Sequence, residues 1–197
     1  LNWRHNFDYS GGMITDWGAH HVDISQWAMG MDKSGPTRID IIHAELPSPT
    51  DLYNTSTKFK FTCTYKSGVQ MVVEDNGGEP NGITFEGDNG KKIFVKRGSI
   101  TMDPVELRRE QIKNDEIHVY KSTDHVGNFI DCIKSGKTTV APVEAAHRTI
   151  SICHLANIAI RLGRKSLKWD PKRERILKDA EANTYLSRPI RGNWKLK

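Results

Sequence analysis

Two carboxylates and an imidazole recur at helical spacing within one short stretch, as Asp16, His20 and Asp23, with Trp27 behind them. At about 100° per residue, steps of four, three and four place all four on a helix stripe about 60° wide. A histidine flanked by carboxylates suits proton transfer, because a neighbouring carboxylate orients the imidazole, fixes its tautomer and tunes it near neutrality. Two other readings fit the same residues. Asp16 and Asp23 can stabilise the helix around a satisfied buried histidine, or Asp16, His20, His21 and Asp23 can serve a divalent-metal lyase or isomerase. Adjacent His20 and His21 diverge by about 100° and cannot easily share one ion from a single helix turn, so no metal site is expected.

The helix that must carry this stripe is expected from about Met13 to Met29, entered through Gly11-Gly12 and stopped by Gly30. Met13, Trp17, Ile24 and Ala28 form the adjoining stripe and offer a core contact. Before the glycines, residues 1–10 alternate large apolar and polar groups, which predicts an extended strand with Trp3, Phe7 and Tyr9 on one face and Arg4, Asn6 and Asp8 on the other. From Thr37 the period shortens to two. Arg38–Glu45, Ser56–Tyr65, Val69–Glu74, Gly82–Glu86 and Lys91–Lys96 read as strands, with hairpin turns at Lys66-Ser67-Gly68 and Asp88-Asn89-Gly90. Phe59, Phe61, Cys63 and Tyr65 then face a core, while Lys58, Lys60, Thr62 and Thr64 face solvent or a polar partner.

Helices return at Asp124–Ser135, capped by Thr123 or Asp124 and closed by Gly136, and at Val143–Gly163, which is apolar almost all round and therefore buried against the sheet. A short strand at Ser166–Trp169 leads into a tail, expected as an extended C-terminal arm over residues 170–197. Short connections make the sheet mainly antiparallel. The expected fold is α+β, an open antiparallel sheet with helices on one face, and at 197 residues a single domain is favoured.

Composition narrows the classes of function. A net charge of +5 is dispersed among acidic residues and lacks a block with interleaved aromatics, so nucleic-acid binding is not expected. No apolar run approaches the roughly 20 residues of a bilayer span, so no membrane partner is expected. Cys63, Cys132 and Cys153 lie in apolar neighbourhoods without metal-ligand spacing and read as buried free thiols.

The ordered series Gly11-Gly12-Met13-Ile14-Thr15-Asp16-Trp17-Gly18-Ala19-His20-His21-Val22-Asp23, then Asn128–Gly136, Glu144–Arg148, His154–Ala159, Leu162-Gly163-Arg164, Trp169-Asp170-Pro171 and Arg191–Trp194 resembles the C-terminal α/β domain of the Gfo/Idh/MocA oxidoreductases. The resemblance covers nearly the whole chain. It implies NAD(P)-dependent oxidation or reduction of a sugar, polyol or related compound. In such enzymes the Asp-x-x-x-His pair supplies the acid/base function, which implies that His20 exchanges a proton with the substrate hydroxyl or carbonyl while Asp16 assists. Arg4, Asp23, Trp17, His125 and Asn128 are further candidates to touch substrate. Arg4 suits an acidic group, Trp17 suits stacking on a sugar or nicotinamide, and His125 with Asn128 share a helix face that can reach a polyol hydroxyl.

The sequence holds neither the Glu-Lys-Pro motif that members carry nor a Gly-x-Gly-x-x-Gly cradle, and the proline in Gly77-Gly78-Glu79-Pro80-Asn81-Gly82 suits a surface turn. NAD or NADP is therefore expected to be held mainly by an N-terminal Rossmann domain absent from these residues, with cofactor-binding residues here unknown. On this reading Leu1 is a cut near a domain junction and the chain alone is inactive. The resemblance further implies a homo-oligomer formed through the sheet face. The rival from another class is a non-catalytic, sheet-mediated interaction or ligand-binding module.

Overall fold

The computed structural model describes residues 3–48, 50–75, 77 and 81–194. The expected glycine-rich turn at 77–82 lies largely outside the described residues. In chain order, the first half contains a 3-10 turn at Trp3–His5, a second at Gly12–Ile14, α1 (Trp17–Ala28), β1 (Arg38–Glu45), β2 (Lys58–Thr64) and β3 (Gln70–Glu74). Then come β4 (Ile83–Glu86), β5 (Lys92–Lys96), β6 (Ser99–Asp103), a 3-10 turn at Val105–Arg109, α2 (His125–Ser135), α3 (Val143–Arg161), β7 (Ser166–Asp170), β8 (Arg175–Ile176) and α4 (Ala180–Thr184). These elements form two compact units, Leu1–Asp75 with His147–Lys197, and Asn76–Ala146.

The larger unit is a five-stranded sheet in the order β3-β2-β1-β7-β8, with every neighbouring pair antiparallel. Alternation in β2 sends Phe59, Phe61 and Cys63, continued by Tyr65, into the core at 4%, 0%, 0% and 2% exposure, as their spacing predicts. Their opposite face carries cross-strand ion pairs, Lys60 with Glu74 at 2.7 Å and Lys58 with Glu45 at 3.5 Å. Against the buried face packs α3, whose residues Ile152, Cys153, Leu155, Ala156, Ile158, Ala159 and Ile160 are all buried. Each large aliphatic side chain so enclosed contributes about 1.5–3 kcal/mol. Burial also pushes the Cys63 thiol well up and the Cys153 thiol up to about 12, and all three cysteines are free and buried.

The smaller unit holds the three-stranded antiparallel sheet β4-β5-β6 and α2. The structure is α+β with open antiparallel sheets, as expected, but the strands divide between two sheets. Strand β6 is additional to the expected set. It follows a tight turn at Arg97-Gly98, where Gly98 has φ 78°, and alternates Ile100 and Met102 like its partner. In α2 the carboxylate of Asp124 accepts the Gly127 N–H at 2.9 Å, and Gly136 ends the helix at φ 69°, the expected cap and stop.

Three expectations are corrected. The N-terminal segment is not a strand. Without a neighbouring strand, its backbone bonds locally, Trp3 C=O accepting from Asn6 N–H and Asn6 C=O from Tyr9 and Ser10 N–H. Asn54 Oδ1 accepts the Phe7 N–H at 2.9 Å, holding Phe7 inward while Trp3 and Tyr9 remain exposed. Helix α1 begins at Trp17, four residues late, because Gly12 adopts φ 71° and interrupts the helical path. The tail from Asp170 is not a plain extended arm either. Strand β8 pairs with β7, and α4 is capped by Asp179, whose carboxylate accepts the Ala182 N–H at 2.9 Å.

One buried polar residue joins α1 to the sheet. Gln26 is fully enclosed; its Oε1 accepts from Tyr65 OH at 2.6 Å, while its Nε2 donates to the carbonyls of Met31 and Ser34, both at 3.1 Å. The amide thereby also satisfies the loop that follows the Gly30 stop. Gln26→Leu leaves the buried Tyr65 hydroxyl and two half-buried carbonyls unmatched, and is expected to destabilise the fold by about 1–3 kcal/mol in urea unfolding. Combined with Tyr65→Phe, the loss is expected to be less than additive, because both changes remove the same bond.

Candidate active site

The glycine pair places the start of α1. A Cβ on Gly11 would lie 2.5 Å from Thr15 Cγ2 and 2.7 Å from Asn157 Nδ2, and one on Gly12 would lie 2.3 Å from Thr55 Oγ1. Only a hydrogen fits at either position, and Gly12 also needs its positive φ. Around them Thr15 Oγ1 accepts the Gly11 N–H at 3.1 Å and donates to Gly12 C=O at 3.2 Å, while Asn157 Nδ2 on α3 donates to Gly11 C=O at 2.7 Å. Buried Thr55 Oγ1, Asn157 Oδ1 and His5 Nδ1 have no hydrogen-bond partner among the described residues, and all three belong to segments meeting at this turn.

Asp16 emerges from the turn as the N-cap residue of α1, with its side chain making no capping bond. Its carboxylate instead pairs with Arg4 Nε at 3.2 Å, and the Arg4 guanidinium also sits 5.0 Å from the Trp3 ring. Both ions are partly exposed, so the pair contributes at most about 1 kcal/mol and acts chiefly to orient. His20 lies one turn into the helix, exposed, with the Trp17 ring edge-on at 6.0 Å. The Trp17 ring stands equally close, at 6.0 Å, to His21.

Both carboxylates expected beside His20 are engaged by other residues. No hydrogen bond among the described residues joins Asp16 to His20, and Asp23 Oδ1 accepts from Thr149 Oγ1 at 3.0 Å, tying α1 to α3. Thr149 is buried on α3, so this contact was invisible to helix spacing alone. What remains is an exposed imidazole with no hydrogen bond from the described protein, an arginine-held carboxylate at the helix N-terminus, and an indole wall. Such an array can accept or donate one proton and bind a second hydroxyl. Among the described residues no three His, Cys, Asp or Glu side chains gather as a metal site requires.

His125 and Asn128 belong to the smaller unit. His125 opens α2 and is exposed, but Asn128 is fully engaged locally: its Nδ2 donates to Tyr120 OH at 2.6 Å and its Oδ1 accepts the Val140 N–H at 2.9 Å. That bridge of two loops leaves little of Asn128 for a ligand. In the larger unit, His147 and Arg148 both meet Glu174 Oε1 at 2.7 Å, structural pairing of the kind their helix suggested.

A cavity of about 1030 Å³ opens elsewhere in the larger unit, along α3 and residues 184–189. His154, Arg161 and Arg188 line it, none of them placed by sequence in a site. The partial enclosure of His154, and secondarily the charge of Arg188, pull its imidazole below the ordinary value of 6.5. His154 thus stays neutral in the folded chain at pH values where the unfolded chain protonates it, and its contribution to stability is lost as pH falls below that value. Proton NMR is expected to show His154 titrating below 6.5, and Arg188→Gln is expected to move the midpoint upward.

Comparison with known proteins follows the same lines. A family model described as the C-terminal alpha/beta domain of the Gfo/Idh/MocA oxidoreductase family matches residues 1–196. No curated protein matches the sequence. Among solved structures, an oxidoreductase from Thermotoga maritima aligns with a TM-score of 0.54 at 16% identity, covering 85% of this chain and 47% of that one. GenD2 from gentamicin A biosynthesis, solved in complex with NAD, aligns at 0.50 and 12% identity over 86% of this chain and 52% of its own. An NAD-binding protein from Listeria innocua aligns at 0.51 and 14% identity over 85% and 50%. At such identities the likeness is one of fold, and the chain spans about half the length of these proteins. The match across nearly every residue makes the chain a member of the Gfo/Idh/MocA oxidoreductase family, as its C-terminal α/β domain.

Proposed function

We propose that this chain is the substrate-facing, acid/base half of an NAD- or NADP-dependent oxidoreductase acting on a sugar, polyol or related compound. The observation that supports this most is the exposed His20 imidazole, unbonded within the described protein, on the first turn of a helix whose start is fixed by the Gly11-Gly12 turn. During oxidation His20 takes the proton of the reacting hydroxyl; during reduction it returns a proton to the carbonyl oxygen. Asp16, steadied by Arg4, accepts a hydrogen bond from a neighbouring hydroxyl and thereby sets which carbon faces the cofactor. Trp17 supplies an apolar wall against a sugar face. Asp23, His125 and Asn128 are less favoured for substrate, given the local partners of Asp23 and Asn128.

The nicotinamide, when bound, accepts or donates the hydride. All strand pairs in the described residues are antiparallel, without the parallel strand, glycine-rich turn and helix that cradle a dinucleotide pyrophosphate. Holding the dinucleotide thus falls to another domain, and residues 1–197 alone are expected to be inactive. A second copy pairs through the outer sheet face, where Ile42 and Val72 stand 61% and 52% exposed among the cross-strand ion pairs. In a protein that joins this domain to its nucleotide-binding half, His20→Ala is expected to lower kcat for NAD(P)-coupled polyol oxidation about 10²–10⁴-fold without moving the urea midpoint. Turnover within twofold of the parent would overturn the assignment.

A further inference from the structure

The cavity along α3 is cationic, and neither Asp16 nor His20 lines it. Residues His147, Ser151, His154, Ile158 and Arg161 recur at steps of three and four, so one continuous face of the helix forms its wall. Arg161 is the unusual member. Its guanidinium lies 4.3 Å from the Phe7 ring and 5.3 Å from the Tyr185 ring, and no carboxylate of the described residues pairs with it. Among the described residues, five of the eight other arginines of this unit pair with an acid: Arg4 with Asp16, Arg38 with Asp40, Arg148 with Glu174, Arg164 with Asp179 and Glu181, and Arg173 with Asp170.

Arg188 adds a second positive charge from the facing segment. Its two terminal nitrogens donate to backbone carbonyls, Nη1 to Asp8 at 2.8 Å and Nη2 to Phe7, and no carboxylate of the described residues pairs with it. Asp8 is the only acidic residue in the lining. Two guanidiniums, Arg161 held over aromatic rings and Arg188 held by backbone carbonyls, beside one carboxylate leave the cavity net positive. Planar guanidinium groups match phosphate oxygens in geometry as well as charge, and the volume is at the upper end for a small-molecule pocket. Tyr9, which also lines the cavity and is 72% exposed, offers a ring face to the organic part of a ligand.

We infer that this cavity binds a small phosphate ester, with Arg161 and Arg188 on the phosphate and the Tyr9 and Tyr185 rings beside the carbon skeleton. The site is separate from the proton-transfer residues and stands or falls independently of the function proposed above. It adjoins the glycine turn, because Gly11 and Asn157 both line it, so an occupant touches the residues that place the start of α1.

Titration of the 197-residue chain with glycerol 3-phosphate and with inorganic phosphate, at ionic strength held constant with chloride and followed by 1H–15N NMR, tests this. Saturable shifts are expected at residues 7–11, 154–161 and 185–189, with the ester binding more tightly than inorganic phosphate. Arg161→Gln is expected to weaken ester binding at least tenfold, whereas Lys66→Gln in the β2–β3 turn leaves it within twofold. Asp8→Asn removes the opposing charge and is expected to tighten binding severalfold, an outcome that loss of structure would not mimic. Absence of saturable shifts in the parent chain would overturn the inference. So would equal affinity in parent and Asp8→Asn, or shifts spread over all surface lysines.

Discussion

Two glycines in succession, each pressed against a neighbouring side chain, set the position of everything else in the larger unit. With Thr55 and Asn157 occupying the space a Cβ would take, the backbone can pass only as Gly11-Gly12. The passage brings Gly11 C=O to Asn157 of α3 and turns the chain so that α1 starts at Trp17. Two further polar ties hold the same helix, Asp23 to Thr149 in its middle and Gln26 to Tyr65 near its end. A helix anchored at its beginning, middle and end is a rigid platform, and rigid platforms hold reacting groups in place better than loops do.

That anchoring redistributes the acidic residues. A stripe of Asp16, His20 and Asp23 on an isolated helix would place both carboxylates beside the imidazole. In the folded chain each carboxylate has a partner of its own, Arg4 for Asp16 and the Thr149 hydroxyl for Asp23. His20 is left without a hydrogen bond from the described residues and available to a ligand. The electrostatics of the site therefore come from Arg4 and Asp16 acting together at the positive end of a helix, more than from a carboxylate and histidine dyad.

Much of this was legible because local rules and tertiary structure agree. Strand β1 has the limits its alternation gave, Gly68 and Gly90 close hairpins at φ 92° and 77°, and Gly30 and Gly136 stop their helices. The Trp3, Phe7 and Tyr9 alternation misled because a strand needs a neighbour, and none lies beside those residues among the described ones; local turns and asparagine side chains satisfy the backbone instead. Strand β6 was missed although Arg97-Gly98 and the Ile100, Met102 pattern announce a hairpin. Gln26, Thr149 and Asn157 read as ordinary helix residues, since their roles depend on partners 39, 126 and 146 positions away. Arg161 and Arg188 were equally silent, because whether an arginine has an acid beside it is a property of the fold and not of its sequence neighbours.

Proton transfer through His20 depends on the position that the glycine turn secures. A structure of the nucleotide-binding protein that carries this domain, determined with its dinucleotide and a bound polyol, examines that claim without relying on altered residues. A His20 ring nitrogen is predicted within about 2.6–3.2 Å of the hydroxyl on the carbon facing the nicotinamide. A polyol seated with that hydroxyl on another titratable side chain, and His20 turned to solvent, would contradict it.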